Sequence, residues 1–292
     1  MRRLLILAVL CSVLLPACSK SDSDSGDGGN PAGPSAPTQV FYTAIGASDA
    51  VGIGASVPCL PFADCPSGTG YVPRILRELR SENGTVGFMN LGLPGAVLTP
   101  EVQALGNQVG VGINHNFLDN EAPFVPRETT LVTVFAGGND VNTVATAIDR
   151  GAAGSQSPDA YIDAQIAAFA AGYRQLLDTI RSRAPSARIY VLNLPNFAGL
   201  PFARSRPLRD RRWLQRLSVG FTTQGANALL GGNVTVIDLM CDPRAYQAGT
   251  YSGDGFHPND TGYAFLAQVV LDAIRNGAPP PNPSCAEMRL VN

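Results

Sequence analysis

Lysine is nearly absent: Lys20 is the only one in 292 residues. The body of the chain therefore holds no P-loop lysine, no Schiff-base lysine and no Ser-x-x-Lys dyad. Histidine is almost as scarce. His115 and His257 stand alone, which excludes an HExxH helix and a three-histidine zinc site. Charged residues make up 15% of the chain, against about 25% in an average soluble domain. The 21 basic and 23 acidic residues leave no basic field for nucleic acid. Apolar side chains, at 45%, are plentiful enough for a sizeable core.

The N-terminus reads as an address. Arg2 and Arg3 precede an apolar run from Leu4 to Pro16, too short to span a bilayer, that ends in Ala17-Cys18. A basic start, a short apolar stretch and small residues before the cut form a signal-peptide pattern, so residues 1–17 are expected to be removed and the protein exported. Leu15-Pro16-Ala17-Cys18 resembles a bacterial lipobox. That makes Cys18 a lipidated first residue, anchored to the outer membrane or the periplasmic face of the envelope. An unmodified Cys18 would give a secreted protein instead. Residues 18–39, rich in Ser, Asp, Gly and Pro, read as a flexible linker ahead of a domain over 40–292.

Cys11 leaves with the leader, and Cys59, Cys65, Cys241 and Cys285 remain, an even number for an oxidising compartment. Four cysteines allow three pairings. Cys59–Cys65, closing a small loop, and Cys241–Cys285, tying the tail to the body, are favoured. A zinc site of all four thiolates would need close pairs such as CxxC, and none occurs.

From residue 40 onward short apolar runs alternate with longer amphipathic ones. Val40–Ile45, Thr85–Leu91, Thr130–Phe135, Arg188–Leu192 and Val234–Leu239 are short, β-branched and bounded by turn residues, as buried strands are. Tyr71–Arg80, Asp159–Arg183, Leu208–Leu230 and Thr261–Ile274 carry helical spacing. The alternation predicts a single-domain α/β fold, a flavodoxin-like three-layer sandwich with a five-stranded parallel sheet and helices on both faces. In such sheets the chemistry sits in the loops after the strands.

Four of those loops carry reactive or turn-forming residues. Gly46-Ala47-Ser48-Asp49 follows the first strand, Gly92-Leu93-Pro94-Gly95 the second, Gly137-Gly138-Asn139-Asp140 the third and Asp254-Gly255-Phe256-His257-Pro258-Asn259 the fifth. Each has a plain reading as a cap or turn. His257 is the more informative, because an Asp three residues before a loop histidine can hold Nδ1–H and leave Nε2 as a base. The set, spread over residues 40–275, resembles the SGNH/GDSL hydrolase superfamily, whose four blocks are named for such Ser, Gly, Asn and His residues. One position departs: Ala47 stands where the first block normally has Asp.

The resemblance implies Ser48 as nucleophile, His257 as general base and then acid, and Asp254 as the carboxylate that orients the imidazole. It implies an oxyanion hole from the backbone N–H groups of Ser48 and Gly95 and the Asn139 side-chain amide. The expected reaction is hydrolysis of carboxylic esters, with short to medium acyl chains, through an acyl-serine intermediate and without cofactor or metal. Carbohydrate acetylesterase, lysophospholipase and thioesterase activities of the same fold stay open, as does a catalytically silent surface binding protein. Expected partners are a small ester or lipid substrate and a membrane reached through Cys18, with no nucleic acid and the chain a monomer.

Two rival folds fit less well. An α/β-hydrolase elbow needs Gly-x-Ser-x-Gly, and Gly46-Ala47-Ser48-Asp49-Ala50 lacks the second glycine. Gly52-Ile53-Gly54 lacks the third glycine of a dinucleotide fingerprint. Thr99–Arg127 reads as loop packed on the core, with a wall of an acyl pocket as the alternative, and His115 within it as a loop histidine. Arg204, Arg206, Arg209, Arg211, Arg212 and Arg216 around Trp213 read as a solvated helix face, or as a contact for anionic headgroups.

Overall fold

Short β-branched runs bury both faces only in the middle of a layered fold. The computed structural model, which describes residues 39–291, places five of them in one parallel sheet. They are β1 (Phe41–Gly46), β2 (Gly87–Asn90), β3 (Leu131–Phe135), β4 (Arg188–Leu192) and β5 (Val234–Ile237), in the order β2-β1-β3-β4-β5. The leader, Cys18 and the linker up to residue 38 lie outside the described residues.

Among the described residues seven α-helices connect and cover the strands: α1 (Tyr71–Asn83), α2 (Pro100–Gln108), α3 (Phe117–Asn120), α4 (Gly138–Asp149), α5 (Pro158–Arg183), α6 (Leu208–Gly220) and α7 (Asp260–Asn276). Side chains alternate across the sheet, so each strand feeds two cores. Tyr42, Ala44, Tyr190, Leu192 and Ile237 pack with α1 and α7 on one face. Ile45, Val132, Val134, Val191 and Val236 pack with α4, α5 and α6 on the other. The strand order reverses between β1 and β3, which opens a crevice at their carboxyl ends.

Some boundaries differ from those expected. β5 stops at Ile237 because the Asn193 side chain, not a strand, accepts the next N–H groups, from Leu239 at 2.7 Å and Met240 at 3.0 Å. The expected helix over 208–230 ends at Gly220 and continues as a π-turn over Phe221–Ala226. There Thr222 bonds the backbone of Leu194 through both its hydroxyl lone pair and proton, and Phe221 stacks on Phe169 at 3.9 Å. Thr99–Arg127 is not plain loop. Thr99 caps α2, whose first residue is Pro100, and Asn116 caps α3. Phe117 is fully buried in the main core, and none of this segment reaches the cleft at Ser48. Cys59 is bonded to Cys65, and Cys241 to Cys285, with Cα–Cα separations of 5.9 and 5.8 Å.

Candidate active site

β1 ends at Gly46, and the chain must bend at once to leave the sheet. A Cβ at Gly46 would lie 2.8 Å from that of Ala50, so only glycine admits the tight turn. The turn closes through Ala50 N–H to Ala47 O at 3.2 Å and Ile53 N–H to Ser48 O at 2.9 Å. Ser48, 8% exposed, is held at its head.

The histidine arrives from the other end of the chain. Its loop is pinned by Asn259, whose Oδ1 caps α7 and whose amide donates to the carbonyls of Gly249 and Tyr251. Gly255 takes φ +68° and presses on the backbone of Phe202, 2.7 Å from where a Cβ would stand. The result is a continuous chain of contacts. His257 Nε2 lies 2.9 Å from Ser48 Oγ, and His257 Nδ1 lies 2.5 Å from Asp254 Oδ2.

Asp254 is itself tightly held. Its Oδ1 accepts from the N–H groups of Phe256 and His257 and from the Ser252 hydroxyl. Partial burial opposes its charge, but the His257 ring and these donors outweigh it and hold the carboxyl well below the usual range.

Asn139 stands in the first turn of α4, behind Gly137 at φ +112°. Its Nδ2 donates one hydrogen to Ala96 O at 2.9 Å, which orients the amide and leaves the second hydrogen for the cleft. The next residue grips the same segment, since both Asp140 oxygens accept from Leu98 N–H, at 2.9 and 3.1 Å. Gly95 takes φ +81° beside Ala96 with open space around it. Ser48, Ala96, Asn139 and His257 line one cleft; Gly95 sits one residue outside that lining and Asp254 behind the histidine.

The cleft is walled mainly by apolar residues, among them Leu194, Phe197, Leu200, Tyr251, Phe256 and Phe265. Phe197, Phe202 and Phe256 meet edge to face, and Phe256 meets His257 the same way.

Two carboxyls beneath the serine turn escaped the sequence. Glu121, fully buried, accepts Gly46 N–H through Oε2 at 3.1 Å while Oε1 has no partner. Asp49 touches the cleft, yet its Oδ2 is buried without a donor. Burial pushes Asp49 up to about 6 and Asp140 to about 7, and raises Glu121 well above the carboxylate range. Asp49 follows Ser48 directly, and that adjacency is the one signal the sequence offers.

The remaining candidates lie elsewhere. His115 is half-buried in the loop before α3. Of the arginine cluster, Arg209 pairs with Asp149 and Asp210 and lies 4.7 Å over Trp213, and Arg216 pairs with Asp159 and Asp163.

Against known proteins, residues 44–265 match the GDSL-like lipase/acylhydrolase family. Among solved structures the chain is similar to the lipase Lip_vut3 from a goat rumen metagenome, with 18% identity, TM-score 0.54 and coverage of 80% of this chain and 97% of that one. It is also similar to the extracellular lipase of Streptomyces rimosus, with 19% identity, TM-score 0.50 and coverage of 80% and 99%. No curated protein sequence matches it. The chain belongs to the GDSL-like lipase/acylhydrolase family and is a carboxylic ester hydrolase.

Proposed function

We propose that the protein hydrolyses esters of short to medium acyl chains through an acyl-serine intermediate. The observation that carries this reading is the 2.9 Å contact between Ser48 Oγ and His257 Nε2, backed by Asp254. A serine hydroxyl attacks a carbonyl only when a base removes its proton. His257 takes that proton, and the ionised Asp254 holds Nδ1–H and stabilises the imidazolium. The carbonyl oxygen becomes an oxyanion facing the Asn139 amide and the N–H groups of Ser48 and Gly95, donors that act in a site partly screened from water. Collapse expels the alcohol, protonated by His257, and water repeats the sequence on the acyl-serine. The apolar walls of the cleft favour an acyl chain over a sugar.

Export and an anchor at Cys18 belong to the same reading, supported by the leader pattern and by two disulfides, which persist in oxidising compartments. The decisive experiment is Ser48→Ala. It abolishes hydrolysis of p-nitrophenyl esters and labelling by a fluorophosphonate while the circular dichroism spectrum is kept. Labelling that survives the substitution rejects Ser48 as the nucleophile.

A further inference from the structure

Apolar side chains exposed on a rigid loop beside an active site call for a partner, and this chain displays such a group. The Cys59–Cys65 disulfide closes a loop on which Leu60 is 75% and Phe62 59% exposed. Phe62 has φ +63°, the only positive φ of a non-glycine residue among the described residues. An aromatic residue rarely adopts that conformation, and such strain persists only where the surroundings impose it.

Here they do. Phe62 N–H donates to Asn90 O at 2.8 Å, Cys59 N–H to Val51 O at 2.7 Å, and the disulfide presses on Gly68, where a Cβ would meet both sulfurs. The loop is thus fixed to the carboxyl edge of the sheet, the edge that carries the site. The chain leading into it also exposes Ile53 and Val57, and between them Gly54 packs so closely that a Cβ would lie 2.9 Å from His257 Cβ. Exposed apolar side chains therefore recur along this segment, from Ile53 next to the Gly54–His257 contact to Leu60 and Phe62 in the disulfide loop. The carboxylate within the loop, Asp64, is paired with Arg80, so the tip presents no uncompensated negative charge.

We propose that this loop is a wedge that seats the enzyme on a lipid–water interface, with Leu60 and Phe62 entering the acyl layer and the cleft facing the ester groups there. A narrow tip of two side chains suits a fluid acyl layer. A stable protein partner would require a broad complementary patch of roughly 800 Å² on each side. The inference rests on the ester-hydrolase reading for its purpose, yet its test stands apart from that reading.

The full chain carrying Cys18→Ser, which removes any acyl anchor, is mixed with phosphatidylcholine vesicles and sedimented. It partitions to the vesicles, and so does the same chain with Ser48→Ala, whether or not serine chemistry is confirmed. Adding Leu60→Ser and Phe62→Ser weakens partitioning by ~10-fold or more, since removing apolar area weakens interfacial binding. Hydrolysis of a vesicle-borne ester falls in parallel, while hydrolysis of soluble p-nitrophenyl acetate is unchanged. Phe62→Gly separates display from packing. Because glycine accepts φ +63° without strain, that variant keeps or raises the Tm yet binds vesicles more weakly than the parent. No vesicle binding by the parent, unchanged binding by the double variant, or a lowered Tm with binding retained in Phe62→Gly overturns the proposal.

Discussion

Asn139 and Asp49 flank the same serine, and their chemistry pulls in opposite directions. The Asn139 amide is fixed by Ala96 O before any substrate arrives, so in the proposed mechanism its second hydrogen would meet an oxyanion without reorganising. Asn139→Ala is expected to lower kcat by about 10²–10³ with little change in KM, because that bond strengthens as charge develops; steady-state kinetics on a soluble ester reads the split. A pure KM effect would make Asn139 an ordinary substrate contact. Asp49 has no such use. Its carboxyl is protonated more readily in the folded chain, at about 6 against 3.8 for an exposed one, because burial disfavours the charge. The folded state therefore loses stability as pH rises from 3.8 through about 6. Asp49→Asn keeps an acceptor for the backbone N–H groups of Ala47 and Asp49 and removes the charge. It is expected to stabilise the protein by up to about 3 kcal/mol at pH 8 and by little at pH 3.5, as measured by urea denaturation at both values.

Loops and helices set the site as much as single residues do. The first turn of α7 lies against the 248–251 segment so closely that a Cβ on Gly262 would stand 2.2 Å from Thr250 O, a backbone atom that cannot swing aside. Gly262→Ala is expected to cost about 1–3 kcal/mol in denaturant titration and to lower kcat, since the displaced loop carries Asp254 and His257. Gly249→Ala, with nothing near its Cβ position, is the neutral control. The four loops were legible in the sequence because each holds its residue within a short reach of a strand end or a helix cap. The strands were legible for a similar reason, as runs buried on both faces. Contacts between distant segments left no local mark. Glu121 meets Gly46 across 75 residues and Asp140 meets Leu98 across 42, so neither role follows from spacing. The π-turn after α6 was hidden because Phe221 and Thr222 are shaped by Phe169 and Leu194, not by their own neighbours. α2 was missed although Thr99-Pro100 is a cap followed by an N1 proline, because its sparse apolar residues give weak periodicity.

On the scale of the molecule, the tail is stitched back onto the body. Besides Cys241–Cys285, Gln215 exchanges two hydrogen bonds with the backbone of Val291, and Asn196 Nδ2 donates to Glu287 O. A disulfide across 44 residues restricts the unfolded chain by about 4 kcal/mol on the loop-entropy account. Cys241→Ser with Cys285→Ser is therefore expected to lower the unfolding free energy by about that amount. Ester hydrolysis at 25 °C should persist while the variant remains folded, and guanidinium titration alongside an activity assay checks both.

The 209 residues between Ser48 and His257 have a further consequence. At synthesis rates of about 5–20 residues per second, a nascent polypeptide carries its hydroxyl for roughly 10 s or longer before the imidazole has even been made. In the proposed mechanism, premature termination before His257 thus yields a fragment that has the nucleophile and lacks its base. Turnover becomes a report that translation and folding have both finished.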